Sequence, residues 1–76
     1  MSLTPDQHSA LFMIADAGPR GAPQAMLLVQ FRPEVVIDLI VAGLALVRTE
    51  VMQAGDRKVE TPRVRVTDAG RRKLAH

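Results

Sequence analysis

Cysteine, tryptophan and tyrosine are all absent from this sequence of 76 residues. The lack of cysteine excludes disulfide bonds and thiolate metal sites. Two phenylalanines are the only aromatic residues, so the core must be built from leucine, valine, isoleucine, methionine and alanine. We expect one domain, residues 1–76. Without disulfides, its stability depends on well-formed helices or on a partner that buries further surface.

Long apolar runs are also missing. The longest apolar-rich stretch, residues 35–47, is interrupted by Asp38 and is too short to span a bilayer. Residues 1–17 contain Asp6 and Asp16 and lack the basic start of a secretory signal peptide. We therefore expect a cytoplasmic protein that makes no contact with a membrane.

The sequence offers little for catalysis. No cluster of histidine, cysteine or carboxylate residues has the spacing of a metal site. Ser2 and Ser9 have no base arranged near them that would activate a nucleophile. Residues 18–21 lack the Lys-Ser/Thr ending of a phosphate loop. We expect neither an enzyme nor a bound cofactor or metal ion.

The charge of the chain is unevenly distributed. Residues 1–45 contain two basic and four acidic residues, a net charge of −2. Residues 46–76 contain eight basic and four acidic residues, a net charge of +4, so the whole chain carries +2. A basic C-terminal part suggests a polyanion or an acidic partner. The alternative is a charged surface that only keeps the protein in solution.

Proline and glycine divide the first half of the chain into three predicted helices. Thr4 and Gln7 have the spacing of a capping box, with Pro5 at the first helical position. The predicted helices are Pro5 to about Ala17, Pro23 to about Val29, and Pro33 to about Ala42.

Two strands and a last helix are predicted in the second half. Residues 44–53 and 59–67 are rich in valine and threonine and alternate with a period of two, as strands do. The turn signal Gly55-Asp56 lies between them. The last helix is predicted over residues 68–75.

A two-residue turn at Gly55-Asp56 fixes the register of the hairpin. Pro62 cannot donate a backbone hydrogen bond, which predicts that it lies on the exposed edge of a two-stranded ribbon. The register pairs Val47 with Val64 and Arg48 with Arg63, and it turns Val64 and Val66 toward the core and Arg63 and Arg65 outward.

Three segments resemble motifs of one protein family. Residues 39–44, Leu-Ile-Val-Ala-Gly-Leu, are similar to the L-x-x-x-G-L that closes a third helix, and Arg48 lies where a basic residue is common on the first wing strand. Residues 66–74, Val-Thr-Asp-Ala-Gly-Arg-Arg-Lys-Leu, resemble the L-T-x-x-G-R-x-x-L after the second wing strand. Residues 3–7 resemble the start of the first helix. The chain is thus similar to the winged helix-turn-helix domain of bacterial transcription regulators of the multiple-antibiotic-resistance-regulator type.

This resemblance implies an α+β fold that is mostly helical: a winged helix-turn-helix with three helices, a two-stranded wing and a short C-terminal helix. It also implies DNA binding and transcription regulation, with the third helix in the major groove and the wing at the minor groove or backbone. We expect the contacts with DNA at Arg32, Arg48, Arg57, Lys58, Arg63 and Arg65.

The third helix departs from the family pattern. Its predicted core face consists of Val35, Val36, Leu39 and Ala42. Its predicted outward face consists of Glu34, Ile37, Asp38 and Val41. Base edges are usually read by basic, amide or hydroxyl side chains, and carboxylates repel phosphate. We therefore expect a small regulator or accessory factor whose DNA contact is led by the wing, dominated by phosphate and weakly selective for sequence.

The outward apolar pair favours a second function. Ile37 and Val41 are costly to leave in water, and contiguous exposed apolar surface often marks an interface. The alternative is a protein–protein interaction or dimerisation module that uses Glu34, Ile37, Asp38 and Val41. If the helix is instead rotated, Ile37 and Val41 belong to the core.

Overall fold

The structure, a computed structural model, describes residues 2–75 and contains four helices and three strands within that range. The elements are α1 (Pro5–Asp16), β1 (Ala22–Pro23), α2 (Gln24–Gln30), α3 (Pro33–Val41), β2 (Ala45–Ala54), β3 (Arg57–Val66) and α4 (Asp68–Leu74). The predicted α+β class is confirmed. The six predicted elements are present, with ends that differ by one or two residues.

The sheet contains one strand more than the sequence predicts. Its three strands are antiparallel in the order β1-β3-β2. Strand β1 consists of Ala22 and Pro23, which pair with Val64 and Arg63. Two residues are too few to show an alternating pattern, so the sequence alone could not predict β1. The strand is defined by its pairing with β3. Outside these two residue pairs, the sheet consists of β2 and β3 alone.

The predicted register of the hairpin is confirmed. Val47 pairs with Val64 and Arg48 pairs with Arg63, and the strands are closed by the turn Gly55-Asp56. Gly55 has a φ of 68°. A two-residue hairpin loop of type II′ requires a positive φ at its first position, which glycine adopts without strain.

Pro62 lies at a position of β3 where pairing with β2 requires no backbone N–H donor. Hydrogen-bonded and non-hydrogen-bonded pairs alternate from the turn, and this alternation makes Thr49 and Pro62 a non-hydrogen-bonded pair. The nitrogen of Pro62 therefore faces away from β2. Strand β1 ends one residue short of it, so this edge is exposed as the sequence predicts.

The core lies between the first three helices and the base of the hairpin. Its largest fully buried side chains belong to Leu11, Ile14, Leu27, Leu39 and Val64. Phenylalanine adds little to this core, because Phe12 is exposed and Phe31 only packs against its edge. Residues 51–60, the outer part of the hairpin, are all exposed.

The junctions before β2 and after β3 are joined by hydrogen bonds. The Thr67 hydroxyl donates to the Gly43 carbonyl at 2.7 Å and accepts from the Gly70 N–H at 3.1 Å. The Thr67 N–H donates to the Leu44 carbonyl at 3.1 Å. Thr67 therefore caps α4 and also fastens it to the end of α3. The segments 39–44 and 66–74, which resemble the family motifs, meet at this point.

Candidate nucleic-acid interface

The register sorts the hairpin side chains onto two faces, because successive side chains of a strand point to opposite sides. One face continues from the buried Ala45 and Val64 and carries Lys58 and Glu60 farther out. We call the other side the arginine face. It carries Leu46, Arg48, Glu50, Met52 and Ala54 from β2 and Arg57, Val59, Thr61, Arg63 and Arg65 from β3.

Four of the six predicted DNA contacts share the arginine face, and the other two do not. Lys58 is exposed on the opposite face of the hairpin. Arg32 is exposed at the N-cap of α3, outside the sheet. The four arginines on the arginine face are Arg48, Arg57, Arg63 and Arg65. Within β2 and β3, the only carboxylate on that face is Glu50.

Arg63 points away from the core, as predicted, but its guanidinium is held by neighbouring backbone. Its Nη2 donates to the Gly21 carbonyl at 3.0 Å, and its Nε donates to the Arg20 carbonyl at 3.2 Å. The side chain is only 21% exposed. These bonds join β3 to the segment before β1, so Arg63 has a structural role that the sequence did not predict.

A shared carboxylate extends this arrangement to the side chain of Arg20. Arg20 Nη2 lies 2.7 Å from Glu50 Oε1 and 3.0 Å from Oε2, and its Nε lies 3.2 Å from Oε1. Arg63 Nε lies 3.4 Å from the same Oε2. We call Arg20, Glu50 and Arg63 the arginine–glutamate cluster. Sequence reasoning missed it, because its members are 13 to 43 residues apart.

Arg65 also packs against the segment before β1. A Cβ at Gly21 would come within 2.8 Å of Arg65 Cγ and would clash with the Val64 carbonyl oxygen. The stem of Arg65 thus covers a glycine, and the side chain is half-buried. Arg48 and Arg57 are the exposed arginines of the arginine face.

The outward face of α3 has the composition that the sequence predicts. Ile37 is 54% exposed and Val41 is 80% exposed, which excludes the rotated helix. Glu34 and Asp38 are exposed as well. Helix α3 contains no arginine, lysine, asparagine, glutamine, serine or threonine.

The prediction is wrong for one residue of the core face of α3. Val36 and Leu39 are buried and Val35 is half-buried, but Ala42 is exposed. Helix α3 ends at Val41, and Ala42 is its C-cap, from which the chain turns away. The half-buried Ile40 packs against the core instead.

Asp38 is linked to the capping box of α1. Gln7 Nε2 donates to Asp38 Oδ2 at 3.4 Å, while Gln7 Oε1 accepts from the Thr4 N–H at 3.0 Å. Thr4 Oγ1 accepts in return from the Gln7 N–H at 3.1 Å. The amide of Gln7 therefore uses both ends, and Asp38 contributes to the packing of α1 on α3.

A further basic group lies on α4. Arg71 and Arg72 are exposed, and Lys73 is half-buried. All three lie in the last turn of the helix. Positive charge in this position interacts favourably with the helix dipole, which gives these residues a structural reason besides any contact with a polyanion.

Other kinds of site are not found in residues 2–75. This range contains no ligand-sized pocket and no group of three or more histidine or acidic side chains arranged to hold a metal ion. None of its helices has the length and apolar character needed to cross a membrane. Comparisons with protein-family models, curated proteins and solved structures found no match to the chain.

Proposed function

We propose that this chain is a winged helix-turn-helix DNA-binding protein, a small transcription regulator or accessory factor, in which the hairpin is the wing. The order of three helices, a hairpin and a short last helix supports this proposal. So do the hydrogen bonds between the two motif segments, in which Thr67 donates to the carbonyl groups of Gly43 and Leu44.

The observation that carries the DNA-binding proposal is the concentration of arginine on one hairpin face. Arginine binds phosphate oxygens with two parallel hydrogen bonds, and phosphate neutralisation supplies most sequence-independent affinity. The outward face of α3 offers no donor to base edges, since its side chains are acidic or apolar. The contact is therefore led by the wing and is weakly selective for sequence.

Two adjacent residues provide a matched test. Arg57 lies on the arginine face and Lys58 on the opposite face; both are exposed and carry the same charge. Titration of a random-sequence duplex over a range of salt concentrations measures how many phosphates each variant contacts. We expect Arg57→Ala to reduce the slope of log K against log salt by about 0.9, the value for one lost phosphate contact, and Lys58→Ala to change it much less.

The possible outcomes of this titration separate three cases. Equal losses for the two variants would mean contact through the tip of the hairpin and not through its arginine face. Unchanged slopes for both would contradict contact by the hairpin. A wild-type chain that fails to bind duplex even at low salt would contradict the DNA-binding proposal itself.

A second candidate function is supported by the exposure of Ile37 and Val41. These side chains form an apolar strip on α3, flanked by Glu34 and Asp38. An acidic and apolar strip is poorly suited to DNA and better suited to protein. In this alternative, α3 contacts a second copy of the chain or another protein, and DNA binding is absent at every salt concentration.

A further inference from the structure

At the base of the hairpin, one carboxylate lies against two guanidinium groups. Glu50 accepts three hydrogen bonds from Arg20 and lies 3.4 Å from Arg63 Nε. The carboxylate is on the arginine face, between the positions of Arg48 and Met52 on the same strand. Glu50 therefore lies among the arginines that bind DNA in the proposed function.

Arginine recognises carboxylate and phosphate with the same fork of donors. The N–H groups of Arg20 that hold Glu50 at 2.7–3.2 Å are therefore at the right spacing for phosphate oxygens. Glu50 is an anion supplied by the protein itself, held by the kind of donors that also bind phosphate.

The position of Arg63 does not depend on Glu50. Its guanidinium is held by the carbonyl groups of Arg20 and Gly21, at 3.2 and 3.0 Å. If the Glu50 side chain rotates away, Arg63 keeps two hydrogen bonds and remains oriented. A positively charged group that is already in position loses little side-chain entropy when it binds an anion.

Arg48 adds a third positive charge to the same place. It is the direct cross-strand partner of Arg63 and shares the arginine face with it. Directly opposed residues of an antiparallel pair have Cβ atoms about 5 Å apart, and like charges there repel each other. An anion beside this pair relieves the repulsion, and Glu50, two residues from Arg48 on the same face, already lies 3.4 Å from Arg63 Nε.

We infer that Arg20, Arg48 and Arg63 form a phosphate-binding site and that Glu50 occupies it in the absence of ligand. A phosphate group of a nucleic-acid backbone displaces the carboxylate, which then moves into water. The identification of nucleic acid as the source of the phosphate rests on the proposed function. Glu50 thus limits the affinity of the arginine face, because each binding event must first break its ion pairs.

The hairpin contains a matched control for Glu50. Glu60 is an exposed glutamate on the opposite face of the same hairpin. Glu50→Gln and Glu60→Gln remove the same charge and keep the shape of the side chain, so a general effect of net charge is the same in both. Only Glu50→Gln opens the proposed site.

Duplex titration against salt is the first measurement. We expect Glu50→Gln to raise the affinity for a random duplex about three- to ten-fold and to steepen the salt slope by about 0.9, whereas Glu60→Gln changes affinity less than about two-fold. Adding Arg20→Gln to Glu50→Gln should remove most of the gain. Equal effects of the two single variants, or a gain that survives Arg20→Gln, would overturn the inference.

Inorganic phosphate provides the second measurement, which does not depend on DNA. The melting temperature of each variant is compared in phosphate and in chloride of equal ionic strength. We expect phosphate to stabilise Glu50→Gln more than Glu60→Gln, because a ligand that binds only the folded state raises its stability. If no variant binds duplex but this difference is present, the phosphate site stands and the DNA proposal fails. If both differences are absent, the phosphate site is overturned.

Discussion

Gly70 lies in the first turn of α4, against the backbone that joins α3 to β2. A Cβ at this position would clash with the Leu44 carbonyl oxygen and would come within 2.7 Å of Val66 Cγ2. The first neighbour is backbone and the second belongs to a short β-branched side chain, so neither can move away cheaply. The requirement for glycine in this motif is therefore one of space.

We expect Gly70→Ala to destabilise the protein by about 1–3 kcal/mol, the usual cost of overpacking. The sign is diagnostic, because the same substitution inside an ordinary helix stabilises by about 0.5–1 kcal/mol. Chemical denaturation of the two proteins measures the difference. A stabilised Gly70→Ala variant would contradict the close contact between α4 and Leu44.

Gly43 is a suitable control, because there the requirement for glycine has a different cause. Its φ is 77°, and a Cβ at this position would meet nothing within 4 Å. Asparagine tolerates a left-handed backbone better than alanine does. In chemical denaturation, Gly43→Asn should therefore lower the free energy of unfolding less than Gly43→Ala does. Gly70→Asn should lower it at least as much as Gly70→Ala does.

At the scale of elements, the features that the sequence predicts are those with a local cause. The hairpin register follows from ten-residue strands and a turn of two residues at Gly55-Asp56. The outward face of α3 follows from a period of 3.6 residues. Capping of α1 follows from Thr4 and Gln7, which are three residues apart.

The features that the sequence did not predict depend on distant partners. Strand β1 is defined by its pairing with β3, some 40 residues later in the chain. The arginine–glutamate cluster brings Arg20, Glu50 and Arg63 together through that pairing. No spacing within the sequence encodes these contacts, so arginines that appear equivalent in the sequence differ in the fold: Arg48 is exposed, and Arg63 is anchored.

The orientation of α3 can be tested by its response to truncation of its side chains. Leu39 is fully buried, whereas Ile37 and Val41 are largely exposed. We expect Leu39→Ala to cost about 2–5 kcal/mol, and Ile37→Ala and Val41→Ala to change stability by less than about 0.5 kcal/mol each. Denaturant unfolding provides the comparison. A loss at Ile37 close to that at Leu39 would mean that this face of α3 packs within the monomer.

In the whole molecule, the two candidate binding surfaces lie on different elements. The hairpin extends from a small body, giving overall dimensions of 46 × 23 × 19 Å, and one of its faces is rich in arginine. Helix α3 presents an apolar strip with two carboxylates. Contacts made by these surfaces respond to salt in opposite ways, since salt competes with phosphate contacts but screens repulsion between like charges.

Self-association through α3 is therefore expected to increase with salt. A two-fold contact between α3 helices buries Ile37 and Val41 of both copies and brings their Glu34 and Asp38 carboxylates together. If the alternative holds and α3 is a dimerisation surface, sedimentation velocity shows a dimer that increases with protein and salt concentration and is lost in the Ile37→Ala/Val41→Ala variant. Val29→Ala, which truncates an exposed valine of α2, is the control and should leave it unchanged. A wild-type monomer at high protein and salt concentration would exclude the homodimer and leave α3 available only to a different protein.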